Sequence, residues 1–342
     1  MNNQSAPYGT VEVGPSTPMS KETRNEILKV SGILGLCILM FYGLSEFSGR
    51  LLATLVNAGA FDYNFTTQNI IQILYTLLTI LVPFAIGAFF IKRVQKRDTL
   101  LLLDKPKSGI LLVEAVGIGL FAIVVANVVT AALVRVFEVN GVTFDSYKPE
   151  SPTTGYQFAW MLLSNAIVPA LVEEFALRGV FLQSLRKYGD AFAVFSSAIL
   201  FGIMHGNMTQ APFAFMLGAV LAMLVIVTGS LWTSMLIHLI NNTYSVIMTT
   251  LLERSDETLT AMATVSFNTL FSIYGAIALV YFFGMHHGRD LLRARYRPGG
   301  PALEGIRLYR RQAWLYTLVS PSMLVALILL LVELFKTVHI AE

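Results

Sequence analysis

Three short segments in the second half of the chain carry side chains that could perform hydrolysis. These residues are Glu173, Glu174 and Arg178 in the first segment, Phe201 and His205 in the second, and His238 and Asn242 in the third. A carboxylate can take a proton from water, and an imidazole can orient that water or bind zinc. A carboxamide can donate a hydrogen bond to a developing oxyanion. This set of side chains therefore predicts a hydrolytic site.

The two adjacent glutamates of the first segment are predicted to have different roles. Glu174 lies four residues before Arg178, which on a helix is the favourable order for an ion pair. Glu173 is turned by about 100° from Glu174 and has Leu177 at the corresponding position, so it lacks such a partner. An unpaired carboxylate inside an apolar segment must face a wet cavity or another polar group. Glu173 is therefore the predicted general base.

Any metal ion must be bound by residues from separate helices. The zinc-protease motif, with two histidines four residues apart and a glutamate between them, does not occur in the sequence. The candidate ligands are Glu173, His205 and His238, and two histidines with one glutamate suffice for an open catalytic zinc site. Both a zinc-dependent and a metal-free mechanism stay open. A cysteine nucleophile is not expected, because the single cysteine, Cys37, stands alone in the first apolar segment.

The composition places these residues inside a membrane protein. Of the 342 residues, 55% are hydrophobic and only 13% are charged, which excludes an ordinary soluble globule and a disordered chain. A membrane-spanning helix needs about 20 mainly apolar residues. The candidate segments are 27–47, 70–91, 110–136, 158–181, 191–204, 212–228, 231–252, 262–285 and 314–335. The predicted fold is an all-α polytopic transmembrane helical bundle of about 8–9 spans, with the site on the fourth, fifth and seventh.

Counting residues along these spans predicts how deep the candidate side chains lie. Glu173 and His205 are each 16 residues from Gly189, the turn between the fourth and fifth spans. Both therefore lie about 24 Å from that turn. His238 is eight residues past the turn at Ser230, on the same side of the membrane, which is only about 12 Å. These side chains can meet only if the hairpin of the fourth and fifth spans extends about two turns beyond the start of the seventh.

Lysine and arginine in the short loops predict the orientation of the chain. Basic loops follow the second, fourth and eighth spans, whereas the loops after the third and seventh spans are mainly acidic. This pattern predicts an integral, multi-pass membrane protein with a cytoplasmic N-terminus, an external C-terminus and a site that opens to the cytoplasm. Residues 1–24 are predicted to be a disordered cytoplasmic tail. Residues 25–342 form the predicted helical domain, with the catalytic core at about 155–250.

Membrane lipids are the expected partner of the arginine-rich loop 289–311. A basic loop that directly follows a membrane span lies close to the anionic lipid surface. No nucleic acid is expected as a partner of this loop.

The three segments resemble the three motifs of the CPBP intramembrane proteases, which include the eukaryotic CAAX-prenyl endopeptidases of the Rce type. The family pattern is Glu-Glu-x-x-x-Arg, then Phe-x-x-x-His, then His-x-x-x-Asn. Every position of this pattern is present here, and the resemblance covers roughly residues 155–250. A single motif of this length is weak, because short patterns recur by chance. All three in the correct order, each on its own predicted span, are a specific signal.

The resemblance implies an endopeptidase and a role for each site residue. The implied roles are water activation for Glu173 and His205, oxyanion stabilisation for His238 and Asn242, and structural support for Glu174 and Arg178. The implied substrate is a membrane-associated peptide or lipidated protein, such as a prenylated or bacteriocin-like one. Because the family is discussed both as metalloproteases and as metal-free glutamate-dependent enzymes, zinc is the one candidate cofactor.

Two other classes of protein stay open from the sequence. Intramembrane glutamate and asparagine also form ion and proton paths, and Glu114 with Asn127 could line one in a proton- or ion-coupled transporter. A non-catalytic membrane scaffold or immunity protein is the other alternative. A proton path would depend on Glu114, whereas a peptidase should tolerate its loss. A scaffold would retain its effect after Glu173→Ala.

Overall fold

The chain folds as a bundle of long apolar helices. The computed structural model describes residues 20–145, 150–254, 257–284 and 313–340. Within them the main helices are α1 (Lys21–Asn57), α2 (Phe65–Gln95), α3 (Gly109–Val139), α4 (Gly155–Tyr188), α5 (Asp190–Met204), α6 (Ala211–Thr228), α7 (Leu231–Arg254), α8 (Glu257–Gly284) and α9 (Pro321–Lys336). Each coincides with one predicted apolar segment, and the predicted all-α membrane bundle is confirmed.

Seven of the helices in the described ranges are long and apolar enough to cross a membrane, namely α1 to α4 and α6 to α8. Helix α5 is also apolar but has only 15 residues. Helix α9 has 16 residues, and a break at Ser320 and Pro321 separates it from the helical residues 313–318. Seven long spans and two shorter apolar helices thus correspond to the eight to nine predicted spans.

Capping side chains set where several helices begin. Ser20, Asn64, Ser108 and Thr154 each accept a hydrogen bond from the backbone N–H three residues further on, which satisfies a donor that the first helical turn leaves open. Because Ser20 caps α1, this helix already begins at Lys21, within the segment predicted as a tail. Residues 1–19 of that predicted tail lie outside the described residues, as does the arginine-rich loop 289–311.

One end of the bundle, which we call the basic end, consists of the α2–α3 loop, the α4–α5 turn and the α6–α7 turn. Leu231 N donates to Leu102 O at 2.8 Å, and Lys107 N donates to Thr228 O at 3.2 Å, so the α2–α3 loop covers the α6–α7 turn. Arg97 Nη1 donates to Gln183 O at 3.0 Å and attaches the same loop to α4. The lysines and arginines of the loops after the second and fourth predicted spans lie at this end.

The opposite end, which we call the acidic end, consists of the α5–α6 loop, the described residues of the α3–α4 and α7–α8 connections, and residues 337–340 after α9. Two three-residue strands, β1 (Val142–Phe144) and β2 (Val338–Ile340), pair there in antiparallel register. These strands were not predicted. Met208 N donates to Thr337 Oγ1 at 3.3 Å, so the α5–α6 loop belongs to the same end.

The α4–α5 hairpin extends past the start of α7, as the residue count required. The side chain of Leu231, the first residue of α7, reaches within 3.5 Å of the position that a Cβ on Gly179 would take. Tyr188, the last residue of α4, lies nine residues beyond Gly179, which is about 13 Å of helix. His238 can therefore reach the glutamates of α4 although it lies only two turns inside α7.

Candidate active site

Helix α4 is irregular on both sides of the two glutamates. Its α-helical stretch Val168–Glu174 lies between two π-helical stretches, Leu163–Ile167 and Phe175–Phe181. Pro169 has no N–H to donate to the preceding turn, which accounts for the first of these departures from the α-helical pattern. Such π-helical stretches are frequent at functional sites. They change the direction in which Glu173 and Glu174 point relative to a regular helix.

Glu174 and Arg178 form an ion pair that is completely buried. Arg178 Nη1 donates to Glu174 Oε1 at 2.7 Å, and both side chains have 0% exposure. Arg178 Nη2 donates to the backbone oxygen of Gly218 at 3.2 Å. The guanidinium carbon also lies 4.3 Å from the centroid of the Phe201 ring, a cation–π distance. The ion pair expected from the sequence is therefore present, and Arg178 connects α4 to α5 and α6.

Gly218 is a residue of the site that the sequence did not reveal. A Cβ at this position would lie 3.0 Å from Phe201 Cδ1 and 3.2 Å from Arg178 Nη2. The missing side chain thus lets α6 approach closely enough for its carbonyl to accept from Arg178. The one available signal was the spacing of Gly218 and Ala222, which indicates close helix packing in general but no particular partner.

His238 lies between the two glutamates. Its side chain is buried, and Nδ1 lies 2.9 Å from Glu174 Oε1 while Nε2 lies 3.8 Å from Glu173 Oε2. Since a carboxylate accepts hydrogen bonds, we assign the Nδ1 proton to the bond with Glu174. The other nitrogen, Nε2, is then the one that faces Glu173. Sequence reasoning gave Glu174 only Arg178 as a partner and missed this contact.

Glu173 and His205 line the same small cavity, which we call the inner cavity. It has a volume of about 90 Å³, enough for a few water molecules, and its other walls include Leu177 and Phe201. Glu173 retains 22% exposure, in contrast to the fully buried Glu174. His205 Nδ1 lies 2.7 Å from Phe201 O and donates to it, so in the neutral ring Nε2 is the acceptor. The two carboxylates thus differ in their surroundings, because Glu174 is paired and fully buried whereas Glu173 is partly exposed and lines a cavity.

Phe201 separates the two histidines. Its ring centroid is 4.8 Å from that of His205 and 5.7 Å from that of His238, and both pairs are edge-to-face. Phe201 also contacts Arg178, as described above. It is buried, and it fixes the spacing of three charged or polar side chains by packing alone.

A larger cavity, which we call the outer cavity, adjoins the site. It has a volume of about 810 Å³ and lies between α3, α7, α8 and the α5–α6 loop. His205 lines both cavities and is therefore placed where they meet. Asn242 also lines the outer cavity, and its Oδ1 accepts from Asn241 Nδ2 at 3.0 Å. Among the described residues, Asn242 is not hydrogen-bonded to the other five predicted site residues.

The arrangement of the candidate metal ligands does not fit a metal site. Carboxylate and imidazole groups are suitable donors for zinc. However, no three His, Cys, Asp or Glu side chains within the described ranges are close enough together to hold a metal ion. Glu173 and His238 approach each other to 3.8 Å, and His238 has its Nδ1 engaged with Glu174. We therefore derive no chemical step through a metal.

The residues suggested for a proton path are far apart. Glu114 is buried in α3 close to the basic end, and Asn127 lines the outer cavity. They are 13 residues apart on one helix, which is about 20 Å. Asn127 thus belongs to the same cavity as His205 and Asn242.

Comparison with known proteins gives one family match. Residues 155–244 match the family model described as Type II CAAX prenyl endopeptidase Rce1-like. The matched stretch begins with the first residue of α4 and ends within α7, so it contains all six predicted site residues. No curated protein and no solved structure matches the chain.

Proposed function

We propose that this integral membrane protein is an intramembrane endopeptidase, because residues 155–244 match the Rce1-like type II CAAX prenyl endopeptidase model. The observation that carries this proposal is the position of Glu173. Its carboxylate faces a water-sized cavity together with His205, and it lies 3.8 Å from Nε2 of His238. A carboxylate and an imidazole thus line one small cavity, and a second imidazole, that of His238, lies beside the carboxylate.

In the proposed reaction, Glu173 takes a proton from a water molecule in the inner cavity. His205 Nε2 accepts the other hydrogen of that water and so orients it. The resulting hydroxide attacks the carbonyl carbon of a peptide bond that reaches His205 from the outer cavity. A C–O bond forms, and the carbonyl oxygen becomes an oxyanion.

The oxyanion needs donors that are already in position. We assign this role to the carboxamide of Asn242 and to Nε2 of a His238 ring that is protonated on both nitrogens, with Nδ1 donating to Glu174 and Nε2 donating to the oxyanion. When the intermediate collapses, the C–N bond breaks and Glu173 returns its proton to the leaving amine. The products are a new carboxyl terminus and a new amino terminus, and Glu173 is restored as a carboxylate.

Glu174 and Arg178 take no direct part in this reaction. The buried Glu174 holds Nδ1 of His238 and is itself held by Arg178. This arrangement fixes the direction of the His238 ring, so that Nε2 points toward Glu173. We therefore propose a positioning role for Glu174 and Arg178.

The experiment compares peptide termini in membranes of cells that express the wild type with those of cells that express Glu173→Gln at equal abundance. Termini present only with the wild type would demonstrate a peptidase and identify its substrate. Glu114→Gln is the matched control, because Glu114 is also a carboxylate on a membrane helix, and it should behave as the wild type. Identical termini for the wild type and Glu173→Gln would exclude the proposed activity and favour a scaffold or immunity protein.

A further inference from the structure

The described side chains that line the outer cavity are mainly polar. Four asparagines line it, namely Asn127, Asn241, Asn242 and Asn268, together with several hydroxyl side chains. No lysine, arginine, aspartate or glutamate is among the described residues that line it. Such a lining would leave a charged group of a ligand without a counter-ion in a low-dielectric setting. The cavity is therefore suited to a ligand that is polar and neutral.

Two of the asparagines have carboxamides that are available to a ligand. Asn127 on α3 and Asn268 on α8 make no hydrogen bond with any residue in the described ranges. Thr130, one turn from Asn127, is buried, and its Oγ1 also has no hydrogen-bond partner there. A carboxamide offers both a donor and an acceptor, which is the pattern that a peptide group needs. An extended peptide would satisfy these groups.

The cavity extends from the acidic end of the bundle into its interior. Its outermost lining residues, Leu252 and Thr260, are close to the α7–α8 loop. Asn127 lies 12 residues before the end of α3, and Asn268 lies 11 residues after the start of α8. These counts correspond to depths of about 16–18 Å. An extended chain rises about 3.3 Å per residue, so roughly five residues would fill this depth.

The acidic end lies opposite the α2–α3 loop and the α4–α5 turn, whose lysines and arginines contribute to the predicted orientation. If the basic end is cytoplasmic, as the lysine and arginine distribution predicts, the outer cavity opens to the external face. This differs from the cytoplasmic opening expected from the sequence, because the charges of the loops do not indicate at which end a cavity lies. A prenylated C-terminal tail would approach from the cytoplasm and bring a free carboxylate, and no cation in the described lining would pair with it.

We propose that the outer cavity binds an extended, uncharged polypeptide segment that comes from the membrane face opposite the basic end. Asn127 and Asn268 hold its peptide groups, and His205 contacts the bond that is cut. The scissile bond is internal, with chain on both sides, and is not next to a terminal carboxylate. This inference rests on the proposed function and names its substrate class and direction of access.

The direction of access is tested by labelling introduced cysteines in intact spheroplasts with a small, membrane-impermeant sulfonated methanethiosulfonate. Cys37 is buried and is the single cysteine of the chain, so the parent protein gives the background. Ser245→Cys, in the outer cavity, should be labelled without permeabilisation. Lys105→Cys, at the basic end, should be labelled only after permeabilisation. The reverse pattern would overturn the proposal, and so would a Ser245→Cys protein that is not labelled in either condition.

The substrate class is tested with the comparison of membrane termini described above. We expect the new termini to lie in uncharged segments exposed on the external face. Asn127→Ala and Asn268→Ala should each reduce the yield of these termini roughly three- to ten-fold, the effect of losing one hydrogen bond. Val128→Ala and Leu270→Ala are the matched controls, since both side chains are exposed neighbours that do not line the cavity.

The outcomes separate this inference from the proposed function. Cuts next to cytoplasmic C-termini, or asparagine variants that cleave as well as their controls, would overturn the substrate assignment while the peptidase remains. No difference between the wild type and Glu173→Gln would exclude the peptidase itself. The labelling result would still decide the direction in which the cavity opens.

Discussion

His238 and Glu174 are hydrogen-bonded through Nδ1 and Oε1 at 2.9 Å, in a region where both side chains are buried. The same carboxylate oxygen accepts from Arg178 at 2.7 Å. One oxygen atom therefore connects a structural arginine to an imidazole that faces the reacting space. A substitution of Arg178 can therefore affect the position of His238 through this oxygen of Glu174. Substituting Arg178 and His238 separately can distinguish the structural role from the chemical one.

Replacing Arg178 by alanine should strongly destabilise the fold. Glu174 would lose the guanidinium that neutralises it while remaining completely buried, and breaking a buried pair in this way costs about 3–5 kcal/mol. Arg178→Ala should therefore lower the yield of folded protein and its Tm in detergent, measured by a thermal unfolding assay.

The Arg50–Glu46 pair on α1 is the control for this prediction. It has the same i,i+4 spacing, but its side chains are 83% and 43% exposed, and exposed pairs contribute about 0–1 kcal/mol. Arg50→Ala should leave yield and Tm unchanged. Equal behaviour of the two variants would contradict the structural role of Arg178.

Gly218→Ala should disturb the site by steric contact. The added Cβ would stand 3.0 Å from the Phe201 ring and 3.2 Å from Arg178 Nη2, so one of them must move. Overpacking of a tight core costs about 1–3 kcal/mol. We expect a lower Tm and reduced cleavage, because Phe201 and Arg178 both fix the site. Gly43→Ala on α1 has open space around it and should be neutral or slightly stabilising; matching results for the two glycines would refute the argument.

The sequence was sufficient for the helical bundle and for the identity of the polar residues, because apolar length and intramembrane charge are local properties. The i,i+4 rule also predicted the pair of Glu174 and Arg178. The contact of Glu174 with His238 could not be predicted, because it depends on how α4 and α7 are placed relative to each other. The π-helical stretches of α4 add to this difficulty, since they change the directions that a regular helix would give to its side chains.

The outer cavity shows the same limit. Asn127 was recognised as a polar residue inside a span, and a proton path was the one use that the sequence suggested for it. Its role as a cavity wall depends on the packing of α3 beside α7 and α8. The sequence likewise could not predict at which end the cavity opens, because the charges of the loops indicate the orientation of the chain but not the location of a cavity.

Substitutions of His238 can separate positioning from chemistry. In His238→Asn, the carboxamide nitrogen can take the place of Nδ1 and continue to donate to Glu174, but nothing replaces Nε2. We expect this variant to fold with a normal Tm and to lose cleavage by about a hundred-fold or more, the usual effect of removing one oxyanion donor. His339→Asn, at the exposed acidic end, is the control and should retain full activity. Full cleavage by His238→Asn would remove Nε2 from the mechanism.

The proposed reaction predicts that cleavage survives metal chelation. Glu173 activates the water directly, and its nearest imidazole, His238, is already bound through Nδ1 to Glu174. Cleavage by purified protein should therefore be unchanged after treatment with a chelator, and elemental analysis should find no stoichiometric zinc. A soluble zinc protease assayed with the same chelator stock is the control and should lose its activity. If chelation abolishes cleavage and zinc restores it, Glu173, His205 and His238 must move together to bind the metal, and the direct role of Glu173 as the base would have to be abandoned.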